Sequence, residues 1–195
     1  MKLNNKGVTM MELLGAMVIL GILFGLAVPA ITTVINDTRN KTYVNDAMKL
    51  ISNAEYSLRK DNKIPKPTTD RCVLMTMVYL DNGVFDEGPY GGSYEKNMSY
   101  VVVKKEGNKD VYYVRIVERL KVGSYRGIDL RKDSDLLKDR SFKTMVTNIN
   151  DDYKINYILT HPDPYKTPEE TIIGKFSGKI SGCSTLSIYA PNSSD

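Results

Sequence analysis

The side chains that most often act in catalysis are sparse in this sequence. His161 is the only histidine, and it lies in the proline-rich run His161-Pro162-Asp163-Pro164. A run of this kind predicts an exposed loop, whereas a general base works within hydrogen-bond reach of a bound substrate. The sequence also contains no glycine-rich phosphate loop and no Ser-His-Asp set. We therefore predict no catalytic residue and no enzymatic activity.

Three carboxylates, Asp133, Asp135 and Asp139, have a spacing that superficially suggests a calcium loop. An EF-hand loop needs a ligand and then a glycine at the positions that Leu137 and Lys138 occupy here. No pair of cysteines has the short spacing typical of a zinc site. The sequence therefore predicts no metal site and no cofactor.

Glu12 is a carboxylate at the front edge of a long apolar run. No charged residue occurs from Leu13 to Ile35, and at about 1.5 Å per helical residue this run could cross a hydrocarbon core roughly 30 Å thick. A carboxylate in a lipid-facing helix costs on the order of 3 kcal/mol on insertion scales, so it usually has a partner. We expect a partner for Glu12; the alternative is that its carboxylate reaches interfacial water.

From the residues alone, the N-terminal segment has three interpretations: a removed signal peptide, a plain membrane anchor, or a segment trimmed at its start and retained. Lys2 and Lys6 supply a basic start, and a signal peptidase could cut after Ala30. Such a cut would sever a helix, because apolar residues continue at helical spacing beyond Pro29. These are Val44, Ala47, Met48, Ile51, Ala54 and Leu58. We predict one helix from about Val8 to Lys60, ended by the proline-containing segment 61–70.

The segment that leads into the apolar run is Lys6-Gly7-Val8-Thr9-Met10-Met11-Glu12-Leu13-Leu14. This resembles the N-terminus of type IV prepilins, in which a prepilin peptidase removes a basic leader ending in glycine and the new first residue is N-methylated. The resemblance implies cleavage between Gly7 and Val8 and methylation of Val8, although Phe or Met is commoner at that position. It also places Glu12 where the family carries the glutamate of the mature N-terminus.

The resemblance implies an assembly role for Thr9 and Glu12. In a staggered array of parallel helices, the new amine of Val8 could neutralise a neighbour's Glu12 and so set the stagger. Pro29 stands where the family usually carries a helix-bending proline. Because Pro29 lacks a backbone donor and clashes with the carbonyl of Gly25, we expect the helix to kink or to melt locally near Gly21 to Pro29.

The two cysteines, Cys72 and Cys183, are an even number in a chain predicted to be exported. We predict that they form a disulfide, with two buried free thiols as the alternative. The bond would close a loop of about 110 residues.

The remaining sequence predicts a globular part of mixed structure. Segment 73–80 predicts a helical turn or two, and the glycine-rich turns at 81–83 and 88–92 are similar to the αβ-loop of pilins and pseudopilins. The β-branched and aromatic content of later segments predicts strands. These strands are 100–103 and 111–117, joined as a hairpin, and 153–159, 172–176 and 186–189. Segment 130–148 is ambiguous.

The predicted fold is α+β, with a long N-terminal helix packed on an antiparallel sheet of about four or five strands laid against residues 44–58. The predicted parts are a leader at 1–7, a membrane or filament-core helix at 8–35, an amphipathic helix at 36–60 and a globular head at 61–195. The net charge is +4, and residues 61–195 carry 20 basic and 19 acidic side chains. We predict no nucleic-acid site, because such sites need clustered basicity.

The resemblance implies a structural subunit of a type IV pilus-like filament. Its implied partners are prepilin peptidase, further pilin-like subunits and a membrane assembly platform with a cytoplasmic ATPase. Lipid would surround the chain before assembly, as a single-pass protein of the cytoplasmic membrane, and the filament would lie at the cell surface. The alternatives are a pseudopilin of a type II secretion or competence apparatus and, from another class, a membrane-tethered enzyme or sensor.

Overall fold

The structure is a computed structural model that describes residues 9–138, 142–150, 154–175 and 178–190. The chain forms two compact units, Met1–Thr38 and Arg39–Asp195. Helix α1, Met10–Lys60, contributes residues to both units. The predicted long helix is therefore confirmed, except at Val8, which lies outside the described residues.

The other elements follow in the second unit. In chain order they are β1 (Arg71–Thr76), α2 (Met77–Leu80), β2 (Ser93–Tyr94), β3 (Tyr100–Glu106), β4 (Lys109–Arg119), β5 (Tyr125–Lys132), α3 (Asp133–Leu136), α4 (Phe142–Met145), β6 (Val146–Ile149), α5 (Ile155–Thr160), α6 (Pro168–Lys175) and β7 (Thr185–Tyr189).

The sheet has seven strands in the order β6-β5-β4-β3-β1-β7, with β2 pairing beside the end of β4. Its pairs are antiparallel except for β1 and β7, which run parallel. The predicted α+β class and the hairpin of β3 and β4 are confirmed. The predicted strand number is too low, because β1, β2, β5 and β6 were not predicted. Of these, β2 and β6 have 2 and 4 residues and are too short to show an alternating pattern.

Two segments predicted as strands, 153–159 and 172–176, contribute residues 155–159 to α5 and residues 172–175 to α6. Ile155, Ile158 and Leu159 follow helical spacing, and the first two are buried. Thr167 and Glu170 form a reciprocal capping box at the start of α6, with bonds of 2.8 and 3.2 Å. The β-branched content of these segments was therefore misleading.

The helix predicted over 73–80 is also wrong in its first half, which belongs to β1, whereas α2 forms the second half. Five successive β1 residues, from Cys72 to Thr76, are buried. A strand covered on both faces shows no polar alternation, so its period is hidden. The ambiguous segment 130–148 contains the end of β5, then α3, α4 and most of β6 over its described residues.

One face of the sheet packs against the second part of α1, as predicted. Its apolar cluster contains Tyr43, Ala47, Leu50, Ile51, Ala54 and Leu58 of α1 with Val73, Met75, Val101, Val103, Val114 and Ile116 of the strands. Helices α5 and α6 cover the other face through Ile155, Ile158 and Ile172. The head is thus a three-layer arrangement of helix, sheet and helices.

Cys72 of β1 and Cys183, just before β7, form a disulfide with Cα atoms 5.5 Å apart. Both residues belong to the cluster under α5 and α6. The bond joins segments 111 residues apart in sequence, next to the parallel pairing of β1 with β7.

Candidate processing and assembly site

A reciprocal capping box starts helix α1. The backbone N–H and the hydroxyl of Thr9 donate to Oε2 of Glu12 at 2.8 and 2.9 Å, and the N–H of Glu12 donates to the Thr9 hydroxyl at 3.3 Å. This Thr-x-x-Glu arrangement satisfies N–H groups that have no partner within the helix. The sequence carried this signal just before an apolar run, and sequence reasoning missed it.

Glu12 therefore has a hydrogen-bond partner, Thr9, within its own chain. These bonds stabilise the carboxylate at the start of an apolar segment. Both bonds from Thr9 reach Oε2, and Oε1 accepts no hydrogen bond from the described residues. This second oxygen is open to another donor. The predicted bond to the amine of a neighbouring subunit remains a prediction.

The predicted processing residues Lys6, Gly7 and Val8 lie outside the described residues. Cleavage between Gly7 and Val8 and methylation of Val8 therefore stay predictions. Met10, the first residue of the described helix, lies two positions after Val8.

The apolar run of α1 is uncovered in the single chain. Its most apolar 18-residue window has a mean hydropathy of 2.5, and none of the window is buried. Leu13, Phe24 and Ile35 are 53%, 63% and 44% exposed. The helix is long and apolar enough to cross a membrane, and these side chains need lipid or other helices around them.

Helix α1 is continuous through Gly21, Gly25 and Pro29. Local melting of this stretch is therefore absent from the single chain, and the kink remains a prediction. A Cβ added at Gly21 or Gly25 would meet nothing within 4 Å. The helix surface at these two glycines is thus not in contact with any other part of the described chain.

In the head, a buried carboxylate ties the 81–92 loop to α1. Glu118 and Tyr43 are both 0% exposed, and the Tyr43 hydroxyl donates a short hydrogen bond to Glu118. The backbone N–H of Tyr90 and Gly92 also donate to Glu118, at 3.2 and 2.7 Å. A Cβ at Gly88 would lie 2.2 Å from the Glu118 side chain, so the loop needs glycine to approach this closely.

A second carboxylate extends the same contact. Asp46 of α1 accepts a bond of 2.7 Å from the Tyr94 hydroxyl and pairs with Lys49 at 2.9 Å. Burial, and then the hydrogen bond to Glu118, raise the pKa of Tyr43, and burial and the bond to Asp46 raise the pKa of Tyr94. These tyrosines hold the loop on α1 as neutral donors.

The other polar candidates stay apart from this network. His161 is exposed, stacks on Tyr157 with ring centroids 4.3 Å apart, and shares a 2.9 Å contact with the Thr160 hydroxyl. Among the described residues, no three His, Cys, Asp or Glu side chains form a group that could hold a metal. Asp139 of the superficial calcium pattern lies outside the described residues.

Residues 2–28 match the family model of the prokaryotic N-terminal methylation motif. The match covers the predicted processing residues and Glu12, and it supports a type IV pilin-like protein of prepilin type. The motif implies processing by prepilin peptidase and assembly with other pilin subunits. No curated protein and no solved structure matches the chain significantly.

Proposed function

We propose that the chain is a structural subunit of a type IV pilus-like filament. It is cut by prepilin peptidase and polymerises through α1. The apolar run behind the capping box carries this proposal, because the described residues of the chain leave its side chains uncovered. The methylation motif at residues 2–28 supports the same conclusion.

Two surroundings suit the run at different stages. Before assembly, lipid of the cytoplasmic membrane covers it; in the filament, the helices of other subunits do. Lipid tails are as apolar as the helix side chains, so burial alone gives little drive to leave the membrane. The proposal therefore includes an assembly platform with a cytoplasmic ATPase that supplies the work, and a filament at the cell surface.

A pseudopilin of a type II secretion or competence apparatus is the nearest alternative, because it shares the motif and the helix. We assign the chain no catalytic role under either reading. A membrane-tethered enzyme or sensor is the rival from another class, and it would keep the head at the membrane.

The test is electron microscopy and immunolabelling of surface filaments sheared from the cells that make this protein. The proposal expects labelled filaments that contain the chain beginning at Val8. The matched control, Gly7→Ile, blocks the leader cut and should leave uncut protein in the membrane and no labelled filament. Processed chain that stays in the membrane fraction, while sheared filaments carry no label, would favour the pseudopilin or the tethered domain.

A further inference from the structure

Within the second unit, α1 and β4 lie side by side in opposite directions. Tyr43, near the start of the α1 segment in this unit, bonds Glu118 near the end of β4. Further along α1, Glu55 and Arg59 line a groove with Lys109 and Asp110 at the start of β4. The turn from β4 to β5 therefore lies at the end of the unit where the chain arrives from the apolar run. We call this the proximal end.

Five cations lie at the proximal end, and we call them the proximal patch. They are Arg39, Lys41, Arg119, Lys121 and Arg126. The guanidinium groups of Arg39 and Arg126 both stack on the Tyr90 ring, at 4.8 and 4.4 Å from its centroid. Lys41 lies over the Phe142 ring at 5.2 Å.

The described residues of the second unit provide no ion pair for the proximal patch. Among them, no carboxylate lies within 4.0 Å of any of its five charges. Glu118 is buried and held by Tyr43 and loop N–H groups. Asp86 and Glu87 are exposed carboxylates that line a groove with Arg119 and Lys121. Among the described residues of the second unit, the five cations of the patch therefore outnumber the two carboxylates of this groove.

An apolar side chain projects from the same end. Val122 is 85% exposed at the tip of the β4–β5 turn, next to Lys121. The turn is closed by a 2.8 Å bond from the Gly123 N–H to the Leu120 carbonyl, with φ of 86° at Gly123. An exposed apolar tip among basic residues is the composition that suits a bilayer interface.

The chain itself limits how far the proximal end can move from a membrane. Arg39 lies four positions after Ile35, the last apolar residue of the run. Even fully extended, four residues span about 14 Å. Arg39, the first residue of the patch in sequence, is therefore held close to the headgroups of any bilayer that contains the run, where the potential of anionic lipids acts.

We propose that the proximal patch binds the phosphate groups of anionic phospholipids in the membrane that holds the apolar run, with Val122 at the interface. This inference rests on the membrane-held state in the proposed function. Arg39, Arg119 and Arg126 supply planar donors suited to phosphate oxygens. The contact seats the head on the bilayer before assembly, and leaving the membrane breaks it.

The chain has no tryptophan, so one introduced indole reports one position. The probe variant is Val122→Trp, and the matched control is Tyr56→Trp, at a 60% exposed position of α1 thirteen residues beyond Tyr43. Each full-length variant is placed at one chain per nanodisc, in phosphatidylglycerol or in phosphatidylcholine. Both lipids are doped with a lipid that carries a nitroxide quencher on its headgroup.

The proposal expects greater loss of emission from Val122→Trp than from Tyr56→Trp in phosphatidylglycerol. This excess should shrink in phosphatidylcholine and in 1 M salt, where the screening length falls to about 3 Å. The excess should also shrink when Arg39, Lys41 and Lys121 of the patch are changed to Gln. It should persist when Lys60, Lys63 and Lys109, which lie outside the patch, are changed to Gln.

Equal quenching of the two probes in inserted protein would overturn the headgroup contact and leave the proposed function standing. If the excess quenching of Val122→Trp occurs only with several chains per disc, the patch binds a second copy of the chain. That result would also overturn the lipid contact. A chain that fails to enter the discs would overturn the membrane-held state itself.

Discussion

The Glu12 carboxylate accepts two hydrogen bonds from Thr9, one from its backbone N–H at 2.8 Å and one from its hydroxyl at 2.9 Å. Glu12 thus caps the helix that it also belongs to. Because Oε2 takes both bonds, a donor from another subunit can reach Oε1 without breaking the cap. One carboxylate can therefore set where the helix begins and, in the proposed filament, how neighbouring helices are staggered.

Glu12→Val tests the second of these roles. Removing the charge makes the segment more apolar, so we expect membrane insertion to persist while sheared surface filaments are reduced or lost. Cell fractionation measures insertion, and microscopy of the sheared fraction measures filaments. Leader cleavage is checked by mass spectrometry of the same sample, because an uncut Gly7–Val8 bond would block assembly for another reason.

Glu12→Gln separates charge from capping, because glutamine also serves in a capping box but carries no charge. If charge sets the stagger, this variant loses filaments as Glu12→Val does. If Glu12→Gln gives the wild-type yield of filaments, the charge of Glu12 does not set the stagger and its role is to cap the helix. Normal yield from cleaved Glu12→Val would remove its assembly role altogether.

Thr9→Ala should fray the first turn of α1, because it removes the hydroxyl that accepts from the Glu12 N–H. Loss of such a cap costs about 1 kcal/mol. Amide hydrogen exchange of the full-length protein in detergent micelles should show faster exchange at residues 10–13 than in wild type. Thr9→Ser keeps the hydroxyl and is the matched control; unchanged exchange in Thr9→Ala would mean that the box does not hold the turn.

The sequence predicted those parts of the fold that show a clear period or a strong local motif. The stripe from Val44 to Leu58 and the hairpin of β3 and β4 were found in this way. The two faces of β1 are both covered, so its pattern resembled a short helix. Helix α6 was missed because Ile172 and Ile173 outweighed the capping signal of Thr167 and Glu170.

The candidate site was also only partly readable. The leader and Glu12 came from the N-terminal pattern, whereas the Thr9 to Glu12 box was overlooked although its spacing is local. The contact of Tyr43 with Glu118 joins residues 75 apart in the chain. No local pattern encodes such a pair, because it forms only when α1 packs along β4.

The disulfide of Cys72 and Cys183 should be present in the exported protein. Alkylation under denaturing conditions should label neither thiol before reduction and both after it, as measured by intact mass. Changing both cysteines to Ala should lower the free energy of unfolding by up to about 4 to 5 kcal/mol, because the bond closes a long loop in the unfolded chain. Labelling of both thiols without reduction would contradict the bonded state.

Tyr43→Phe should destabilise the head, because it removes a donor from the buried Glu118 carboxylate. Leaving a buried acceptor short of a partner costs about 1–3 kcal/mol. Denaturant unfolding of the full-length protein in detergent, followed by circular dichroism, measures the loss. Tyr56→Phe is the control at an exposed position, where we expect a change within about 0.5 kcal/mol; equal stability of the two variants would count against the network.

The same hydroxyl should make stability depend on alkaline pH. Burial and the bond to Glu118 raise the pKa of Tyr43, so the folded chain keeps its proton while the unfolded chain loses it near pH 10. Its contribution is thus fully present below about pH 10 and falls as pH rises toward the folded pKa, by about 1.4 kcal/mol per pH unit. Unfolding curves between pH 9 and 11 should therefore show a shallower decline for Tyr43→Phe than for wild type. The other tyrosines remain in both proteins, so the difference isolates Tyr43, and parallel declines would show that its proton is not held by the fold.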